Sequence, residues 1–135
     1  MVWRTQQPGQ YAGYVLSPEE YSTASCVIEA VTDDFEAFNF NHDCALVFQS
    51  IGKYDVCPTG TYKIMLATGD GKGYHWYRQN PDGYWSHKYG GHRPISNLDE
   101  SFRPITDPEA ANRGEFTDLE VYFFAVTPWN RYKTS

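Results

Sequence analysis

Apolar side chains recur three and four residues apart at Tyr21, Ala24, Val27, Ile28 and Val31, the spacing that lays one stripe along a helix. Immediately upstream stands Ser17-Pro18-Glu19-Glu20. The serine can cap exposed amides, proline suits the first helical position, and Glu20 lies three residues beyond the cap. Together these signals predict a helix over residues 18–31. Thr32-Asp33-Asp34 followed by Phe35 to Phe38 predicts a short second helix, with the aspartates at its start complementing the dipole.

Beyond residue 40 the pattern changes to short runs rich in aromatic and β-branched residues, at 44–49, 61–68, 74–79, 84–88 and 119–127. Gly, Pro, Asn and Asp bound them, which reads as five strands. Gly69-Asp70-Gly71-Lys72-Gly73 and Asn80-Pro81-Asp82-Gly83 tolerate positive φ and should close hairpins. The expected fold is α+β, one main N-terminal helix packed on a mostly antiparallel sheet of about five strands. Residues 1–16 read as an extended N-terminal segment, and 89–118 as a long irregular loop with one helical turn at 108–112.

With 135 residues and 15.5 kDa, the chain is expected to form one domain. Eleven Lys and Arg against 17 Asp and Glu leave a net charge of −6, which argues against nucleic-acid partners. No run reaches the roughly 20 apolar residues of a membrane span. Nor do residues 1–10 resemble a signal peptide, so a soluble chain is expected. Three cysteines cannot all pair internally, which points to packing thiols in a reducing setting or to a nucleophile.

The chemistry-bearing types concentrate in residues 74–88, two aromatic segments that each carry one histidine, His75 and His87. Their relation depends on register. If the turn is confined to residues 80–83, Trp76 faces His87 and the histidines point to opposite faces; one more loop residue makes His75 face His87 on a shared face. Trp76, Tyr77, Tyr84, Trp85 and Tyr89 could instead form an aromatic platform for a glycan or extended peptide. Cys44 follows a possible short helix beside His42 and Asp43 and is the candidate thiol, while Cys26 reads as mid-helix and Cys57 as a turn residue. Zinc is not expected, because the cysteines and histidines lack close ligand pairs. No other cofactor is indicated. The glycine-rich run at 69–73 lacks the spacing of a phosphate loop, and the paired acids at 19–20 and 33–34 are explained by helix starts.

Cys57-Pro58-Thr59-Gly60-Thr61-Tyr62-Lys63, the run from Tyr74-His75-Trp76-Tyr77-Arg78-Gln79 through Asp82-Gly83 to Trp85-Ser86-His87-Lys88, Asp99, and Ile105-Thr106-Asp107-Pro108 together carry a resemblance. The chain resembles, over residues 8–126, a group of poorly characterised bacterial and phage proteins that look like a divergent branch of the papain-like cysteine hydrolases. The resemblance implies a papain-like half-fold and hydrolysis of an amide or ester bond. It makes His75 the base and His87 its orienting partner, with Asn97 or Asp99 as rival orienters. The group's Asn-Cys-Tyr helix start lies ahead of the segment matching Gln7-Pro8-Gly9, so the chain departs from the pattern at the nucleophile itself.

Overall fold

The computed structural model describes residues 7–88 and 94–128. Helix α1 (Pro18–Tyr21) opens with the expected capping box, the Ser17 side chain accepting from the Glu20 N–H while Glu20 accepts from the Ser17 N–H. It stops after one turn. The Ser22 and Thr23 hydroxyls donate back to the carbonyls of Pro18 and Glu19, competing with continuation of the helix. Helix α2 (Ala24–His42) then runs for 19 residues, replacing the single 18–31 helix and short second helix expected from sequence.

The aspartates at 33 and 34 do not begin a helix because Asp34 is occupied elsewhere. Its carboxylate accepts from the backbone N–H of Gly9 at 2.8 Å and of Ala12 at 2.9 Å, which fastens residues 8–14 to the helix side. Burial raises the Asp34 pKa, while those same N–H groups pull it down. The apolar stripe therefore continues through Phe35 and Phe38, both buried. Asp43 ends the helix in the left-handed region at φ 49°. Asn39 then clasps Leu46, donating to its carbonyl at 3.0 Å and accepting from its N–H at 2.8 Å. That clasp uses up residues 44–47, so the first strand begins later than residue 44.

The strands are β1 (Phe48–Ile51), β2 (Tyr62–Gly69), β3 (Gly73–Gln79), β4 (Trp85–His87) and β5 (Tyr122–Val126). They form one sheet in the order β1-β5-β2-β3-β4, every neighbouring pair antiparallel. This is the expected α+β class. Alternation along each strand divides the core in two. Val27, Phe35 and Phe38 of α2 pack on Phe48, Leu66, Phe124 and Val126 on one face. Met65, Ala67, Tyr77, Trp85 and Phe123 meet Ile105 and Phe116 of the long loop on the other.

The long loop is irregular but closely tied to the sheet. Isolated bridges join Trp85 to Ile105, His87 to Ser96 and Leu98 to Pro104. The expected helical turn near residue 108 is a turn closed by the Ala110 and Ala111 N–H groups on the Asp107 carbonyl. Further along, the loop passes so close to the β2–β3 hairpin that a Cβ on Gly69 would sit 2.2 Å from the Glu115 carbonyl oxygen. Only glycine fits there. No described helix is long and apolar enough to cross a membrane.

Replacing Asp34 by Ala strips the acceptors from two backbone N–H groups, one of them buried. The expected outcome is a loss of about 1–3 kcal/mol in chemical denaturation, with hydrogen exchange at Gly9 and Ala12 accelerated before that of α2.

Candidate functional site

The β3–β4 hairpin sets the geometry. Asn80 donates its N–H to Tyr84 O at 2.7 Å and Gly83 donates to Asn80 O at 2.9 Å, leaving Pro81-Asp82-Gly83 as a three-residue loop. Gly83 takes φ 90°, the left-handed position such loops require. Tyr77 therefore faces His87, and Gln79 faces Trp85. This matches neither register considered from the sequence, yet it has the parity of the second. His75 and His87 share a face as diagonal neighbours instead of direct partners.

Their rings meet edge to face with centroids 5.0 Å apart, and His75 Nε2 lies 2.8 Å from His87 Nδ1. On its far side, His87 Nε2 is 2.8 Å from the carbonyl oxygen of Leu98. A carbonyl can only accept, so His87 carries its proton on Nε2. Where His87 accepts at Nδ1, His75 Nε2–H is the donor and Nδ1 is the unprotonated nitrogen of His75. Stacking on Phe116 at 4.9 Å and an edge contact with Tyr77 hold the His75 ring. Burial, reinforced by repulsion from His87, lowers its pKa to about 4.

Asn97 and Asp99 flank the residue whose backbone accepts from His87. Asp99 is engaged in its own turn, accepting from the N–H groups of Ser101, Arg103 and Asn112. Although desolvation pushes its carboxyl up, those bonds hold it below the ordinary range. Tyr77 stacks on His87 at 5.1 Å. Its hydroxyl and the Nε of Arg113 are buried without a hydrogen-bond partner among the described residues. Burial pushes the Tyr77 phenol up to about 12, with Arg113 opposing.

Cys44 is not brought to this pair. It packs under α2 beside Phe35 and Phe38, its Sγ 3.5 Å from Asn39 Oδ1, on the face opposite the histidines. It also precedes β1, three strand spacings from β3, roughly 14 Å across the sheet. Cys26 lies in the first turn of α2, not mid-helix as expected, beside a cavity bordered by Glu20, Glu29 and Asp33. Cys57 lies in the loop before β2. His75 pairs with Ala67, five residues into β2 and roughly 17 Å along the strand.

The expected aromatic platform is divided by the same alternation. Tyr77 and Trp85 are core residues, 1% and 4% exposed, whereas Tyr84 is exposed on the hairpin. Trp76 lies on the α2 face and Tyr89 lies outside the described residues. Trp76 instead belongs to a cleft of about 930 Å3 beside α2, together with Tyr62, Ile64, Tyr74, Arg78, Ser86 and Lys88. Sequence reading missed this cleft as a unit, although the alternation Tyr74, Trp76, Arg78 was its visible signal. Among the described residues, no group of three or more His, Cys, Asp or Glu is placed to hold a metal ion.

No family model and no solved structure matches the chain. Among curated proteins, the insoluble matrix shell protein 1 of Ruditapes philippinarum is 46% identical to it over 65 residues. The match spans 48% of this chain and 43% of that protein, so the chain spans less than half the length of this relative.

The His75 shift sets a sign for pH dependence. Its folded pKa lies below the ordinary 6.5, at about 4, so the unfolded chain binds more protons between those values and stability falls as pH drops through that window. Up to about 3 kcal/mol is involved. Denaturant titrations at pH 7, 5.5 and 4 are expected to show the decline in the wild type and a shallower one in His75→Gln.

Proposed function

We propose that this chain carries the base-and-orienter part of a papain-like cysteine hydrolase domain acting on an amide or ester bond. The observation that carries the reading is the chain of contacts from His75 Nε2 to His87 Nδ1 and from His87 Nε2 to the Leu98 carbonyl. A general base needs one nitrogen held by an orienting group, and the contact of His75 Nε2 with His87 supports that assignment. In catalysis His75 Nδ1 takes the proton of a thiol, and the thiolate adds to the carbonyl carbon. The imidazolium returns the proton to the departing amine or alcohol, and water then cleaves the thioester with His75 again as base.

None of Cys26, Cys44 and Cys57 stands beside His75. In this reading the thiol is that of a helix start, as the resemblance to the papain-like group implies. The partial likeness to a shell matrix protein names no reaction, and it adds nothing to the choice of substrate.

The test is hydrolysis of activated esters and peptide anilides by the protein isolated from its source. His75→Ala is expected to lower turnover by about a hundredfold or more with the fold retained by circular dichroism. His87→Phe should lower kcat more than it changes KM, and Cys44→Ser should leave the rate unchanged. Unchanged turnover in His75→Ala, loss of turnover in Cys44→Ser, or no hydrolysis at all would each sink the reading.

A further inference from the structure

We infer that the cleft beside α2 over β2, β3 and β4, whose lining also takes in His75, Tyr77 and His87, is a binding site for an anionic carbohydrate chain. Helix α2 packs over Phe48, Leu66, Phe124 and Val126, which belong to β1, β2 and β5. The same face of β3 and β4 carries α1 at its Tyr74 end and forms the floor of the cleft. Alternation places Tyr74, Trp76 and Arg78 of β3 there, and the pairing of Arg78 with Ser86 brings Ser86 to the same side. Continuing that register one residue past His87 puts Lys88 opposite Trp76. One indole is thus flanked by two cations, Arg78 two residues along its own strand and Lys88 across from it. Both cations line the cleft, as does Lys72 at the hairpin end.

The charge is local and runs against the whole chain, whose net charge is −6. The lining acid is Asp34, and its two carboxylate oxygens accept from Gly9 and Ala12 N–H groups. Arg78 sits 4.0 Å from the Tyr62 ring centroid, which holds its guanidinium over the floor. Trp76 rests edge-on against Phe48 and Phe124 at 6.4 and 6.2 Å. Tyr74 is anchored through its hydroxyl to the side chain of Gln7 and through its ring to Tyr21 at 5.7 Å. These are aromatic surfaces held in place before any ligand arrives, which lowers the ordering cost of binding.

The choice of carbohydrate over peptide follows from the floor being a sheet face. Its backbone N–H and C=O groups are engaged in the β2–β3 and β3–β4 ladders, and β4's outer edge is bridged to the loop at Trp85 and His87. An extended peptide laid there finds no strand edge to pair with, and its own amides lose water without compensation. A pyranose ring presents C–H faces to Trp76 and Tyr74 and keeps its hydroxyls in water around the rim. Carboxylate or sulfate groups on alternate sugars then meet Arg78 and Lys88 by charge-assisted hydrogen bonds.

Calorimetry of the 135-residue chain with oligogalacturonate and with a sulfated galactan, against an uncharged galactan as reference, tests the inference. Binding of at least one anionic oligosaccharide about tenfold tighter than the neutral one is expected, weakening as salt rises. The exposed pair Arg78→Gln and Lys88→Gln, combined, should reduce affinity about tenfold with the melting temperature kept. The matching change at Lys53, on the other side of the sheet, should do nothing. Trp76→Phe should weaken the neutral and anionic sugars alike. Failure here is read from calorimetry and failure of the hydrolase reading from turnover, so the two are separately visible. The inference is overturned if neither anionic sugar binds at millimolar concentration, if the double variant binds as the wild type does, or if polyglutamate displaces the sugar at equal concentration.

Discussion

The two-residue alternation of strand β3 is the constraint on which the rest of the molecule depends. Between residues 74 and 78 successive side chains must point to opposite faces, so Tyr74, Trp76 and Arg78 go to the α2 side while His75 and Tyr77 go to the loop side. The three-residue loop at 81–83 then decides which β4 residues join each set. A hairpin longer or shorter by one residue would send His87 to the α2 face and break the imidazole pair. Gly83, at φ 90°, is therefore as important to the site as either histidine.

The loop face shows why so irregular a segment packs firmly. Residues 94–118 contribute Ile105 and Phe116 to the core, but their hold on the sheet is largely polar. Trp85 and Ile105 are joined by one bridge, His87 and Ser96 by another, and Thr68 with Asp118 by a backbone and a side-chain hydrogen bond at 3.0 and 2.7 Å. Arg113 adds donations to the carbonyls of Phe116 and Asp118 at 2.8 and 3.0 Å. These bonds satisfy backbone groups that a buried loop would otherwise leave unpaired. They also make the loop part of the site, because the Leu98 carbonyl that sets the His87 tautomer belongs to it.

Much of this was legible in the residues themselves. The capping box at Ser17, the five strands, the antiparallel sheet and the two hairpins have local causes, and local causes can be read from sequence. The length of α2 was not legible. Asp33-Asp34 looks like a helix start, and what removes that reading is a contact with Gly9 and Ala12 more than twenty positions away. The hairpin register depended on whether Asn80 paired or turned, a difference of one residue that composition does not encode. Cys44 stood beside polar neighbours in the sequence, but the Asn39 clasp on Leu46 directs the following segment to the far edge of the sheet. The cleft escaped notice because its parts come from β2, β3 and β4 and only topology assembles them.

His75 is oriented by an imidazole and, through it, by a peptide carbonyl. A carboxylate orienter supplies a counter-charge when the base takes a proton, whereas His87 and a peptide carbonyl supply only dipoles. Hence protonation of His75 alone is disfavoured, as its lowered pKa records. In the fold the pair ties β3, β4 and the loop together, since His75 stands on β3, His87 on β4 and the Leu98 carbonyl on the loop. In the proposed hydrolase, a thiolate beside His75 would supply the counter-charge that these dipoles do not.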